Sequence, residues 1–296
     1  MNGIILINKE KGITSFGVVS KMRRIFNTKK VGHCGTLDPN ATGVLPILIG
    51  NATKLSKYLV EHDKEYIATV KFGIKTDSGD EEGNVISEDE FRLENTSEDF
   101  YISKLNELVG TREQIPPMYS AVKVDGKRLY EYAREGRIVE REPRKITIYS
   151  ISMIKLDYEN NELTFRVVCS KGTYIRTLCE ELAEKIGTVG YMKELERTKL
   201  DKFDIENSVI ISELENCEDK EKYLISVEDL FINNEKVDLT SRKKELFLNG
   251  VKLTFNLANG LYRVYSDGLF IGIGVVERNL LKRDVIMDSL KINHNI

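Results

Sequence analysis

The stretch Gly32–Gly50, GHCGTLDPNATGVLPILIG, is the part around which the rest of the chain is arranged. It opens with Gly32 and Gly35, sets one carboxylate, Asp38, before Pro39, and runs into the apolar segment Val44–Ile49. Glycine allows backbone conformations and close approaches that other residues resist. Proline fixes its own φ and pushes the residue before it towards an extended conformation. The pattern predicts a rigid loop presenting one acidic side chain, anchored by a buried strand or the start of a helix. Two readings of Asp38 stay open on this stretch alone: a carboxylate available for chemistry, or an Asp-Pro turn whose carboxylate bonds its own backbone.

On the N-terminal side, Gly3–Asn8 is rich in Ile and predicts a strand. A turn follows, and Ser15 is placed to cap a helix whose inner face is Val18, Val19, Met22 and Ile25. Lys29 to Thr42 reads as loop. Beyond it, Ala52–Tyr58 predicts a short amphipathic helix with Leu55 and Leu59 inward. Lys64–Phe72 alternates, with Tyr66, Ala68 and Val70 on one side, as a half-buried strand does. An acidic turn at Asp77–Gly83, a strand at Val85-Ile86 and a helix from Ser97 to Val109, ended by Gly110, come next.

Ile146–Leu156 and Leu163–Cys169 are apolar-rich strands split by a turn, a hairpin signal. A glycine turn at Gly172 then enters a helix with Leu178, Leu182 and Ile186 inward. Arg176 sits early in that helix and opposes its dipole. It is either a surface arginine or one that faces an acid such as an aspartate. Tyr191–Lys199 holds Leu195 among charged residues, and Ser226–Leu230 is a short apolar turn. After a connector at Asn233–Lys236 come a helix over Leu239–Asn249 and strands at Leu261–Val264, Leu269–Val276 and Val285–Met287. The expected fold class is α+β, with a large domain over 1–232 and a small, mostly β domain over 236–296.

The chain has 296 residues and a formal net charge of −3. No apolar run approaches the roughly 18 residues that span a bilayer, and no basic segment precedes the first apolar stretch as in a signal peptide. Cys34, Cys169, Cys179 and Cys217 include no C-x-x-C pair, and His33, His62 and His294 are scattered, which argues against a zinc site. Free thiols in a reducing cytoplasm are the expectation. Cys34, inside the key loop, is the alternative nucleophile to Asp38.

Charge is unevenly spread. Lys9 to Lys57 carries nine basic residues against Glu10 and Asp38, whereas Asp77 to Asp99 carries ten acids against Arg92. Such asymmetry suits a basic face for a polyanion; charges that merely keep the surface soluble are the alternative. Between Ile115 and Arg144, Lys123, Lys127, Arg128, Arg134, Arg137, Arg141 and Arg144 interleave with Tyr119, Tyr130 and Tyr132. Cations between aromatic rings suit an RNA surface, and a solvated amphipathic helix is the other reading.

Five ordered motifs together resemble the TruB family of tRNA pseudouridine-55 synthases. They are Gly3–Lys9 with Gly12–Ser15, Gly32–Gly43, Lys64-Glu65-Tyr66, Ile115–Ala121 and Cys169–Arg176. The resemblance covers nearly the whole chain. It implies a mixed or antiparallel sheet core flanked by helices, an RNA-gripping, thumb-like insertion over about 115–144, and a C-terminal domain like a PUA module. It implies isomerisation of uridine 55 in the tRNA T-loop after base flipping, without a metal or organic cofactor. Asp38 is then the nucleophile, Tyr66 lies against the target base, and Arg176 pairs with the aspartate. His33, Tyr174, Leu195 and Lys9 take substrate-binding roles, and Lys123, Lys127, Arg128, Arg134, Arg137 and Arg141 grip RNA.

A carboxylate can attack carbon and leave again, and a neighbouring guanidinium favours a charged carboxylate. A base inside a folded loop has to be flipped out and held against an aromatic face. The implied partner is the T-arm of tRNA, bound by a cytoplasmic monomer. Glu10 stands where the family has proline. Two competing expectations are a tRNA-binding folding helper and a synthase acting on ribosomal RNA.

Overall fold

The computed structural model describes residues 1–59 and 62–287. His294 and the end of the expected 236–296 unit lie outside the described residues. The run Gly3–Lys9 is buried almost throughout. Ile5 and Ile7 enter one core while Ile4 and Leu6 enter another. A strand covered on both faces reads as a continuous apolar run, which is why this segment alternates so weakly. It pairs antiparallel with Thr42–Ile49, Gly3 opposite Ile49 and Lys9 opposite Gly43.

These two strands begin the main sheet. Its order is Gly3–Lys9, Thr42–Ile49, Gly190–Leu200, Lys64–Phe72, Glu162–Cys169, Arg144–Asp157 and Gly110–Gln114. Thr42–Ile49 and Gly190–Leu200 run parallel, and the other neighbours along this path are antiparallel. Val31–His33 adds to Thr42–Ile49, and Phe203–Asp204 adds to Gly190–Leu200.

Three helices cover one face. Ser15–Ile25 contributes Val18, Val19 and Met22, Glu98–Asn106 contributes Tyr101 and Leu105, and Ile175–Ile186 contributes Leu178, Cys179, Leu182 and Ala183. Burying one leucine such as Leu178 contributes about 2 kcal/mol. On the other face Val44, Leu48, Leu200 and Phe203 meet Val227, Leu230 and Phe231, together with Ile273 and Val285 from a second sheet. That sheet has the order Lys236–Asp238, Gly260–Ser266, Leu269–Glu277, Leu280–Ile286 and Leu253–Thr254. Asn51 Nδ2 donates to the Ile286 carbonyl at 2.9 Å, and Tyr58 Oη to Asp284 at 2.5 Å, so the second sheet is docked on the first. Among the described residues, no helix is long and apolar enough to cross a membrane.

Several elements differ from the sequence expectation. The N-cap of the first helix is Thr14, which accepts from Gly17 N, while Ser15 Oγ turns to the backbone of Leu37. The loop expected from Lys29 to Thr42 contains the strand Val31–His33. The helix expected to reach Val109 ends at Asn106, and the chain enters Gly110–Gln114 as an edge strand. Ser226 caps a short helix, Val227–Leu230, rather than marking only a turn. The helix expected from Leu239 begins at Ser241, capped by Thr240. The largest omission is Gly190–Leu200, a strand near the middle of the sheet. Its charged residues hide it: Arg197 is wholly buried, and Lys193 pairs with Glu162 at 2.6 Å.

Candidate active site

The loop carrying Asp38 is pinned on both sides of that residue. Ser15 Oγ accepts from Leu37 N at 2.9 Å and donates to Leu37 O at 3.0 Å. The Pro39 carbonyl accepts Lys9 Nζ at 2.9 Å and Gly12 N at 2.9 Å. Gly12 has φ +87°, a left-handed conformation that suits glycine in this turn. A tight turn is present as well, with Ala41 N donating to Asp38 O at 3.1 Å. The carboxylate itself points to Arg176, so the Asp-Pro turn and the site carboxylate are one feature.

Arg176, second residue of the helix Ile175–Ile186, lies 3.2 Å from Asp38 Oδ2 and 3.4 Å from Asp80 Oδ2. It also donates to Ser78 O at 3.1 Å and to Tyr119 O at 2.7 Å. A guanidinium fork has the donors for such a cluster. The arginine side chain is 6 % exposed and that of Asp38 is 42 % exposed, so a substrate can reach the carboxylate while the cation stays covered. The helix start is fixed by Gln114, whose side-chain amide donates to Tyr174 O and accepts from Tyr174 N. Tyr174 thus stands at the entry to the helix that carries Arg176.

Tyr66 and Leu195 lie on neighbouring strands. Tyr66 is opposite Arg197, and Leu195 is opposite Ala68. Residues two apart share a face, so Tyr66, Ala68, Leu195 and Arg197 line one side. Burial pushes the Tyr66 phenol up to about 12, an effect moderated by Arg197. His33 ends the strand Val31–His33; burial, then the Arg197 charge, lower its imidazole below the ordinary value. Burial raises the Cys34 thiol to about 12, which keeps it in the unreactive thiol form and disfavours the cysteine nucleophile.

Lys9 is placed differently from a substrate contact. It is completely buried, and its ammonium donates to Glu10 O, Ile13 O and Pro39 O at 2.8–3.0 Å. Burial lowers it to about 8, against a raising effect of Asp38. Its side chain holds the Asp38 loop. Glu10 contributes a carbonyl to this clamp, a role its side chain does not affect.

The expected RNA-gripping residues form a separate group. Lys123–Val124 and Lys127–Arg128 make a hairpin whose turn residues, Asp125 and Gly126, both have positive φ, as a type I′ turn requires. The helix Leu129–Arg134 follows. Arg128 and Arg134 lie over Tyr130, and Lys127 and Arg137 over Tyr132. Lys127 also pairs with Glu135, and Arg141 Nη1 donates to Pro116 O at 3.1 Å. This group joins the Asp38 site at its root, through Tyr119 O on Arg176.

Sequence reasoning missed Asp80 and Arg197. Asp80 sat in what read only as an acidic turn, and its distance from Arg176 is what singles it out. Arg197 lay in the stretch given no element; a strand over 190–200 would have put it beside Leu195.

The N-terminal domain model of the TruB family of pseudouridylate synthases matches residues 23–175, and the model of the tRNA pseudouridylate synthase B C-terminal domain matches residues 176–230. A protein from Clostridium perfringens named tRNA pseudouridine synthase B is 45 % identical over 282 residues, covering 93 % of this chain and 95 % of its own. One of the same name from Francisella philomiragia is 41 % identical, covering 95 % and 93 %. The chain belongs to the TruB family. The two family domains meet at Arg176, so the site joins Asp38 and Tyr66 from the first to Arg176, Leu195 and Arg197 from the second. TruB-family architecture also extends to distant structures. A chain in a structure of an H/ACA RNP bound to a substrate RNA containing 2′-deoxyuridine superposes with TM-score 0.67 at 22 % identity, covering 97 % of this chain and 85 % of that one. One in a Cbf5-Nop10-Gar1 complex gives 0.66 at 24 %, covering 96 % and 83 %. These two show the shared fold.

Proposed function

We propose that this TruB-family chain isomerises uridine 55 in the T-loop of tRNA to pseudouridine, with Asp38 as the nucleophile. The observation that carries the reading is the pair at 3.2 Å between an accessible Asp38 carboxylate and a covered Arg176. The relatives' shared name supports tRNA as the substrate.

The reaction breaks the N1–C1′ bond, turns the base and joins C5 to C1′. No atom is gained or lost overall, so no co-substrate is needed. Asp38 forms a bond to a carbon of the nucleotide and is later released. Once C5 is bonded to C1′ it still carries its hydrogen. Tyr66, against the face of the flipped base, receives that hydrogen as a proton through its oxygen, and the C–H electrons restore the ring double bond. His33, Tyr174 and Leu195 contact the flipped uridine or its neighbours.

The basic face from Lys11 to Lys57, without the buried Lys9, and the group Lys123, Lys127, Arg128, Arg134, Arg137 and Arg141 hold T-arm phosphates. The enzyme works as a cytoplasmic monomer. The insertion over 115–144 moves on binding RNA, and the unit from 236 onward adds a further RNA contact. Incubation with an unmodified tRNA transcript, followed by mapping of pseudouridine, tests the activity. Asp38→Asn separates the enzyme reading from a folding helper: an enzyme loses product and keeps tRNA binding.

A further inference from the structure

Arg197 is the largest wholly buried side chain in the described chain. Its Nε donates to Val44 O at 2.9 Å and its Nη2 to Gly35 O at 3.0 Å. Directly across the antiparallel pair stands Tyr66, and cross-strand partners have Cβ atoms about 5 Å apart on one face. Facing each other in this register, the guanidinium and the phenol each favour the other's charged form. The two carboxylates of the site, Asp38 and Asp80, both go to Arg176. Arg197 is therefore a buried cation held by two neutral carbonyls, with the phenol of Tyr66 across the strand pair.

A buried charge without an opposite charge is costly. The carbonyl bonds explain how Arg197 ties the Gly35 loop to the sheet, but a neutral side chain of similar size fills that space more cheaply. What a cation adds is a counter-charge, and the neighbour able to become an anion is Tyr66. Burial raises the Cys34 and Cys169 thiols as it raises the Tyr66 phenol, but of the three it is Tyr66 that stands directly opposite Arg197 in the strand register.

We propose that Arg197 is a positioning residue for the isomerisation: it fixes the Tyr66 oxygen and acts as counter-ion to the phenolate that takes the C5 proton. This rests on the role given to Tyr66 above. The phenol gives its proton to water, the phenolate receives the C5 proton and is a phenol again, and N1, freed from C1′, takes up a proton from water, so the count closes; Arg197 stays protonated throughout. Asp38 and its own arginine are then one charge pair of the site, and Tyr66 with Arg197 is a second, formed only during turnover.

The test is a double-mutant cycle in single turnover on unmodified tRNA, with tRNA affinity measured alongside. Arg197→Met is expected to slow pseudouridine formation at least about 100-fold, with affinity within about threefold of wild type. Added to Tyr66→Phe, it is expected to cost no more than about a further threefold, because its effect passes through the lost hydroxyl. Arg197→Lys, which keeps the charge, is expected to be faster than Arg197→Met. If Arg197→Met does not fold, Arg197→Lys with and without Tyr66→Phe completes the cycle. Penalties that multiply, an Arg197→Met enzyme at wild-type rate, or a lysine variant no faster than the methionine one would overturn the proposal. Normal turnover by Tyr66→Phe alone would remove the base role of Tyr66 itself, an outcome distinct from a failure at Arg197.

Discussion

The Arg176 guanidinium lies 3.2 Å from the Asp38 carboxylate, and the two differ in access: 6 % against 42 % exposed. The cation is fixed before any substrate arrives, by Ser78 O, Tyr119 O and Asp80. The carboxylate is aimed by its backbone, because Leu37 and Pro39 are each tied down. Orientation is thus built into the free chain, which is how positioning lowers a barrier.

Arg176→Lys is expected to lower single-turnover pseudouridine formation at least about 100-fold with little change in tRNA affinity, since an ammonium cannot reproduce a planar fork serving four acceptors. Rate and affinity measured on the same preparation check this. A parallel loss of affinity would give Arg176 a binding role instead.

Gly43 tests the sheet that carries the site. It has φ +104° and lies opposite Arg197 in the parallel pair; a Cβ there would overlap the Arg197 backbone. Gly43→Ala is expected to destabilise the chain by about 3 kcal/mol or more, read by denaturant unfolding. A loss below about 1 kcal/mol would mean that the two strands separate easily.

The sequence makes legible those features that local pattern controls. The strand Lys64–Phe72 has the expected bounds because its alternation matches a half-buried pleat. The early position of Arg176 asked for an acidic partner, and Asp38 is there. What stayed hidden depends on contacts distant in sequence. Nothing local says that Asp80 turns inward to share Arg176. Nothing local says that Ser15 leaves the cap to Thr14 and holds Leu37. Gly190–Leu200 escaped because buried Arg197 and paired Lys193 carry charges where a strand signal wants apolar residues.

The basic hairpin allows a salt measurement. Lys123 and Arg128 are exposed at its two strands. Each alanine substitution is expected to weaken tRNA binding about three- to tenfold at low salt and to reduce the slope of log K against log salt by about 1. Titrations at several salt concentrations check both. Unchanged slopes would place phosphate binding elsewhere.

Lys9 gives a pH dependence with a definite sign. Burial lowers its ammonium from 10.5 to about 8. Between those values the unfolded chain binds this proton and the folded chain releases it, so the Lys9 contribution to stability rises with pH across that window. Wild type is expected to gain on the order of 2 kcal/mol relative to Lys9→Met between pH 7 and pH 10. Paired unfolding curves at the two pH values measure it, and a difference that shrinks with pH would contradict the burial argument.

The central claim is that the Asp38 carboxylate does covalent work on a tRNA uridine. The most direct measurement is pseudouridine mapping on an unmodified tRNA transcript treated with wild type or Asp38→Asn, with tRNA binding measured for both. The account predicts one pseudouridine, in the T-loop, from wild type, and none from Asp38→Asn at near-normal affinity. Pseudouridine formed by Asp38→Asn, or none formed by wild type bound to tRNA, would contradict it.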